Sequence, residues 1–164
     1  IQTGQYDGWI GQSLTQLGEL WPARYARLEQ TGDLTGDASD SAIANADYRQ
    51  AMTAMQQGDD AAAGYAIRRL LAATPDDPVA HNLQGILYRR AGQFRQARDA
   101  YEQALRLRPD YTMAHINLGI LCDIYLQDTD CAMQHYREYL QLSAGSDNHV
   151  SLWLADLEQR QGDR

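Results

Sequence analysis

Lysine is absent from this 164-residue sequence, so arginine supplies all 14 basic side chains. Against 22 acidic residues this leaves a net charge of -8, which on average repels a phosphate backbone and places nucleic acid outside the expected partners. No stretch approaches the roughly 18 consecutive apolar residues of a membrane-spanning helix, so no direct membrane span is expected. Also missing are GxSxG, HExxH, CxxCH, the phosphate-binding P-loop and the dinucleotide fingerprint, and the carboxylates are scattered rather than paired. An enzyme is therefore not expected, nor is a cofactor. Two cysteines, Cys122 and Cys131, neither require nor forbid an oxidising compartment. The first residue is Ile1 rather than an initiator methionine, which reads as a processed or trimmed chain compatible with export and equally with the cytosol.

What is present is ample apolar material, 44% of the residues, enough for a core in one compact domain. It is arranged with a period of 34 residues. Shifting the chain by that interval lays Ala51 on Gly85 and Gly119, Ala54 on Tyr88 and Cys122, Gly58 on Gly92, Ala63 on Ala97, Ile67 on Tyr101, Leu71 on Leu105 and Pro75 on Pro109. Within the clearest unit, Pro78 to Asp110, two helical stretches break at Ala91-Gly92. Asp77 is placed to cap the first helix, Pro78 to occupy its first turn, and Gly92 to supply the left-handed residue that ends it. Phe94, Ala97, Tyr101, Ala104, Leu105 and Leu107 then form an apolar stripe at helical spacing, and Pro109 stops the second helix. The unit is a helix hairpin.

Gly85, Tyr88, Gly92, Phe94, Ala97, Tyr101, Ala104 and Pro109 resemble the tetratricopeptide repeat pattern. The resemblance covers Ala44 to about Ser143 as three repeats, 44–77, 78–111 and 112–146, with departures: Gln84 stands at a usually aliphatic place, the first repeat is Ala-rich, and the third lacks the closing proline. It implies an all-α, right-handed superhelical solenoid in which small residues let paired helices approach and aromatics fill the gaps. A closing helix is expected over 147–164, capped by Asp147, with Val150, Trp153, Leu154 and Leu157 on its apolar face. Residues 1–43 fall outside the repeat and read as an extension with one or two short helices and a polar linker. Its Tyr6, Trp9, Trp21 and Tyr25 are interface-type aromatics, so it is either an extra packing helix or a partner-docking arm.

Three groups invite a chemical reading. Asp33, Asp37 and Asp40 resemble a calcium loop only faintly, because Ala38 and Ala44 stand where the sharp turn and the acidic twelfth ligand would be needed. His81 and His115, one repeat apart, are expected to pack rather than ligate. Cys122, Cys131 and His135 lack metal-site spacing, so no metal is expected. Their segment carries one inserted residue: Ala132, Tyr136, Leu140 and Leu142 follow Ala97, Tyr101, Leu105 and Leu107 by 35, and "LQDTD" replaces the glycine turn. The cysteines then lie at similar heights on antiparallel helices, and both a cross-hairpin disulfide and two free thiols remain open.

The resemblance also implies that the first helix of each hairpin lines a concave groove. Spacing assigns to it Asn45, Tyr48, Met52 and Met55, then Val79, Asn82, Ile86 and Arg89, then Met113, Ile116, Ile120 and Asp123. This surface is mostly apolar and suits a partner helix or peptide. The clamp by which some family members hold chaperone C-termini needs lysine along the groove and is not recognisable here. The expected function is a non-catalytic scaffold that binds a protein through the groove, the aromatic arm, or both. Resemblance to small bacterial envelope proteins points to assembly of a secretion, pilus or transport complex, in the periplasm or at the cell envelope, with the cytoplasm as the alternative. A permanently bound subunit of a larger complex is the second reading, and an enzyme of unrecognised type the third.

Overall fold

The computed structural model describes residues 38–143 and 148–162, with side chains from residue 46 onward. These residues form α1 (Ala38–Gln57), α2 (Asp60–Ala73), α3 (Pro78–Arg90), α4 (Phe94–Leu107), α5 (Thr112–Ile120), a π-helical turn (Leu121–Leu126), α6 (Thr129–Leu142) and α7 (Asn148–Gly162). No strand occurs among the described residues. The described residues divide into two compact units, the first ending at Ala63 and the second beginning at Gly64, with the boundary inside α2.

In the first unit, α1 begins at Ala38, six residues inside the stretch that the sequence reads as extension and linker. "ASDSAIA" contains three good helix-forming alanines and neither glycine nor proline, so nothing in it stops the helix from starting early. The turn into α2 is compact. Gly58 takes φ +74, the Asp59 amide bonds the Ala54 carbonyl at 2.9 Å, and the Asp59 carboxylate accepts the Ala62 amide. The arm residues Tyr6, Trp9, Trp21 and Tyr25, the acidic trio Asp33, Asp37 and Asp40, and the expected cap Asp147 lie outside the described side chains.

The second unit contains two full hairpins, α3–α4 and α5–α6, stacked through α4 against α5, with α7 on α6. The local signals work as chemistry dictates: Asp77 accepts the Val79 amide at 2.8 Å ahead of Pro78, and Gly92 sits at φ +73. Close packing of each hairpin depends on its glycine. A Cβ on Gly85 would stand 2.5 Å from the Tyr101 ring, and one on Gly119 2.7 Å from the Tyr136 ring. Tyr101 and Tyr136, both fully buried, therefore fill the room that the missing side chains leave. Helix α5 is enclosed on every side, with each residue from Ala114 to Ile120 buried, as an apolar helix between two layers must be. α7 then covers α6 by burying Val150 and Leu157, and is tied at the rim by Arg137 to Glu158 and by Gln161 to Asp130.

Candidate functional site

The face assigned to a partner is built in the second unit from α3 and α5, whose registers place Val79, Asn82, Ile86 and Arg89 in one row and Met113, Ile116, Ile120 and Asp123 in the next. The two helices are joined at this level by a buried hydrogen bond in which the Asn117 amide donates to the Asn82 carbonyl oxygen at 3.0 Å. The face is less open than a groove lining read from spacing. Val79, Asn82, Ile86, Arg89, Ile116 and Ile120 are all buried, and only Met113 and Asp123 are partly accessible. In the first unit Tyr48 is buried and Met52 and Met55 are partly exposed, while Asn45 lies outside the described side chains.

Two carboxylate and guanidinium positions give the face its electrostatics. Asp123, in the π-helical turn, accepts a hydrogen bond from the Tyr136 hydroxyl at 3.2 Å, yet burial still raises its pKa, against that bond and the charge of Arg160. Arg89, one repeat earlier at the end of α3, is buried and its Nη1 makes no hydrogen bond.

Histidines on the first helices make a polar contact that repeats, and the third hairpin adds a second one to it. His81 Nε2 meets the Pro75 carbonyl at 2.8 Å, and His115 Nε2 meets the Pro109 carbonyl at 2.8 Å, the same bond repeated 34 residues on. Both histidines therefore tie a first helix to the turn before it. His115 makes a second contact, its Nδ1 lying 3.0 Å from Nδ1 of His135 on α6. A carbonyl can only accept, so His115 keeps its proton on Nε2, and the neutral pair requires Nδ1–H of His135 to donate to Nδ1 of His115. Burial, with lesser contributions from His115 and Arg98, lowers the His135 pKa to about 4.

Cys122 and Cys131 are joined by a disulfide across this hairpin, with their Cα atoms 5.9 Å apart. The inserted residue of the third repeat is absorbed in the π-helical turn, where bonds close over one residue more than in an α-helix. Gln127 then takes φ +53, doing without glycine what Gly58 and Gly92 do in the earlier repeats. Asp128 caps α6 by accepting the Cys131 amide, and its other oxygen pairs with Arg98 of α4 at 3.3 Å, linking the two hairpins. Among the described residues no group of three or more His, Cys, Asp and Glu is gathered as a metal site would require.

The sequence placed His115 as a packing residue but did not couple it to His135, and it did not pair Asn117 with Asn82. The second pairing joins positions that are not equivalent in the repeat, 35 rather than 34 residues apart, so periodicity offers no signal for it.

A tetratricopeptide repeat family model matches residues 28–78 and 82–147, well over half of the chain. The chain belongs to the tetratricopeptide repeat family. Among solved structures, the first repeat domain of Spaghetti (RPAP3), bound to the HSP90 peptide SRMEEVD, is 22% identical with a TM-score of 0.68, over 74% of this chain and 98% of that one. The O-GlcNAc transferase of Thermobaculum terrenum is 25% identical with a TM-score of 0.67, over 74% of this chain but 23% of that enzyme. PilW, a type IV pilus biogenesis factor, is 20% identical with a TM-score of 0.65, over 74% of this chain and 56% of that one. In this tetratricopeptide repeat chain the helical hairpins carry the likeness. No described helix is long and apolar enough to cross a membrane.

Proposed function

We propose that this protein is a non-catalytic adaptor whose α3–α5 face receives a helix or extended segment of a protein partner. The observation that supports it most is the alignment of two first helices by the Asn82–Asn117 bond, which sets Val79 and Ile86 in one row and Met113, Ile116 and Ile120 in the next, with Arg89 and Asp123 at the same end of the two rows. Its accessible points are Met113 and Asp123, an apolar anchor with a carboxylate on the same row, which fits a peptide rather than a small reactive substrate. Family members of known structure bind peptides, as the RPAP3 domain does the SRMEEVD peptide, and the fold is compatible with the same use here.

The second part of the proposal is an envelope setting, in which the chain helps to assemble a secretion, pilus or transport complex through this face, its aromatic N-terminal arm, or both. The cross-hairpin disulfide favours an oxidising compartment over the cytoplasm, and the pilus factor among the structural neighbours is consistent with it. The alternative reading, a permanently bound subunit, is favoured by Leu152, Tyr65 and Leu142, large apolar side chains that the chain leaves exposed.

Capture from the native source with wild-type and Met113→Glu chains tests the first reading. Met113 is partly exposed, so the substitution leaves helicity intact and is expected to abolish capture of the partner. Equal capture by both chains overturns the face as the binding surface. A purified chain that precipitates until one particular partner is supplied favours the permanent subunit instead.

A further inference from the structure

The disulfide belongs to one hairpin of three. Counting back by the repeat, the places of Cys122 and Cys131 are filled by Tyr88 and Gln96 in the second hairpin and by Ala54 and Ala62 in the first. Those hairpins close without a crosslink, around turns whose left-handed residue is Gly92 or Gly58. The third hairpin also has their close packing, with the Tyr136 ring over Gly119 as the Tyr101 ring lies over Gly85. Closing the hairpin therefore does not require the disulfide.

What sets the third hairpin apart is its turn. Leu121–Leu126 is π-helical, a form that seldom runs beyond a single turn, and Gln127 holds φ +53, a left-handed value costly for any side chain but glycine's. The Cys122 carbonyl accepts the amides of both Gln127 and Asp128, the second at 2.9 Å, and the Asp128 carboxylate accepts the Cys131 amide at 3.1 Å. An unfavourable backbone persists only where its surroundings hold it. Here the crosslink ties the two residues that flank the turn, nine apart in sequence, and so fixes both of its ends.

The two sulfurs differ in access. Cys122 is 0% exposed, whereas Cys131, in the first turn of α6, is partly accessible. Thiol–disulfide exchange begins with attack of a thiolate on one sulfur, and access decides which one is attacked.

We propose that Cys122–Cys131 is a redox latch on the π-helical turn, opened by a dithiol that attacks Sγ of Cys131. The incoming thiolate forms a mixed disulfide with Sγ of Cys131; the bond to Sγ of Cys122 breaks, its electron pair leaves on Cys122, and that sulfur takes a proton. The second thiol of the same reagent then displaces Cys131. The dithiol ends as a disulfide, the protein disulfide ends as two thiols, and the two protons of the reagent end on the two cysteines. Once open, the turn leaves its π-helical form while Tyr136 on Gly119 keeps the hairpin closed. The turn carries Asp123, an accessible point of the α3–α5 face, and Tyr125, whose ring centroid lies 4.7 Å from that of Phe94 at the start of α4. Opening is therefore felt in the neighbouring hairpin. It alters what a partner meets only on the reading of that face as the partner surface; the latch itself is independent of that reading.

Three measurements on the full chain test the latch, and none uses a partner, so their failure leaves the face standing. The thiol left in Cys122→Ser should react with dithiodipyridine about ten-fold or more faster than the thiol left in Cys131→Ser. Dithiothreitol should reduce the native chain at a rate that urea below the unfolding transition barely changes, because local attack needs no global opening. In amide NMR spectra, the signals of Tyr125 and Gln127, and of Phe94 on the neighbouring hairpin, should shift on reduction and return on reoxidation with oxidised glutathione, with the rest of the native spectrum retained. Equal reactivity of the two thiols, or a reduction rate that climbs with urea as global unfolding does, overturns the attack on Cys131. Unmoved signals of Tyr125 and Gln127, or a native spectrum lost as a whole, make the disulfide a structural staple and overturn the latch.

Discussion

Acidification should loosen the third hairpin through His135. An unperturbed histidine titrates near 6.5, and burial holds His135 in the folded chain at about 4. Its neutral form donates Nδ1–H to His115, which is itself anchored through Nε2 to the Pro109 carbonyl, so an added proton must go to Nε2 of His135. There it creates a charge in a poorly solvated place, with Arg98 of α4 on the same side of the balance. Of the carboxylates on the packed elements, Glu102 and Asp128 pair with Arg98, and Glu158 of α7 pairs with Arg137. The sign follows from linkage. Between pH 6.5 and 4 the unfolded chain binds the proton and the folded chain does not, so stability falls as pH falls through that window. With those two values the loss is about 2 kcal/mol between pH 7 and 5 and about 3 kcal/mol by pH 4, since each tenfold rise in proton concentration within the window costs about 1.4 kcal/mol. Denaturant melts at pH 7, 6 and 5 on wild type and His135→Gln measure it, since the variant cannot take the proton while its amide can still donate to His115. The stability of wild type relative to the variant should drop by about 2 kcal/mol on going from pH 7 to 5. Parallel pH profiles, or an imidazole signal of His135 titrating near 6.5 in the native chain, would falsify the reasoning.

Three further outcomes follow from the packing. Gly119→Ala drives a methyl to within 2.7 Å of the Tyr136 ring, a rigid neighbour that is fully buried, and should cost about 1–3 kcal/mol in a urea melt; a neutral result would mean that α5 and α6 can separate freely. Replacing both cysteines by serine opens a crosslink nine residues long and should cost about 2–3 kcal/mol by the loop-entropy argument, whereas a gain of two hydrogens in mass on reduction checks that the bond was present. Asn82→Leu strands the buried Asn117 amide and should cost about 1–3 kcal/mol, much of which returns when Asn117→Leu is added; strict additivity of the two changes would show that their bond contributes nothing.

The 34-residue period, Gly85, Gly92, Asp77 with Pro78, and the spacing of Tyr101 and Ala104 were enough to reach helix hairpins and the family, because each acts locally or is repeated. The single insertion was legible too, as a shift from 34 to 35 between the cysteines. How the chain accommodates it was not legible, since a longer loop, a kink and a π-helical turn all absorb one residue. The choice depends on Asp128 reaching both the Cys131 amide and Arg98 of the neighbouring hairpin, a contact 30 residues away in sequence. The state of Cys122 and Cys131 was open for the same reason: similar height on two helices is a property of sequence register, while the 5.9 Å approach depends on how the π-turn rotates one of them.

The face on α3 and α5 divides in the same way. Its residues were named in the sequence by the family resemblance together with helical spacing. Their depth, the Asn82–Asn117 bond between non-equivalent positions and the His115–His135 pair came only with the packed helices. Periodicity specifies which residues share a side of a helix, because that is a property of one backbone; burial and partnership are properties of several, and arise only where those backbones meet.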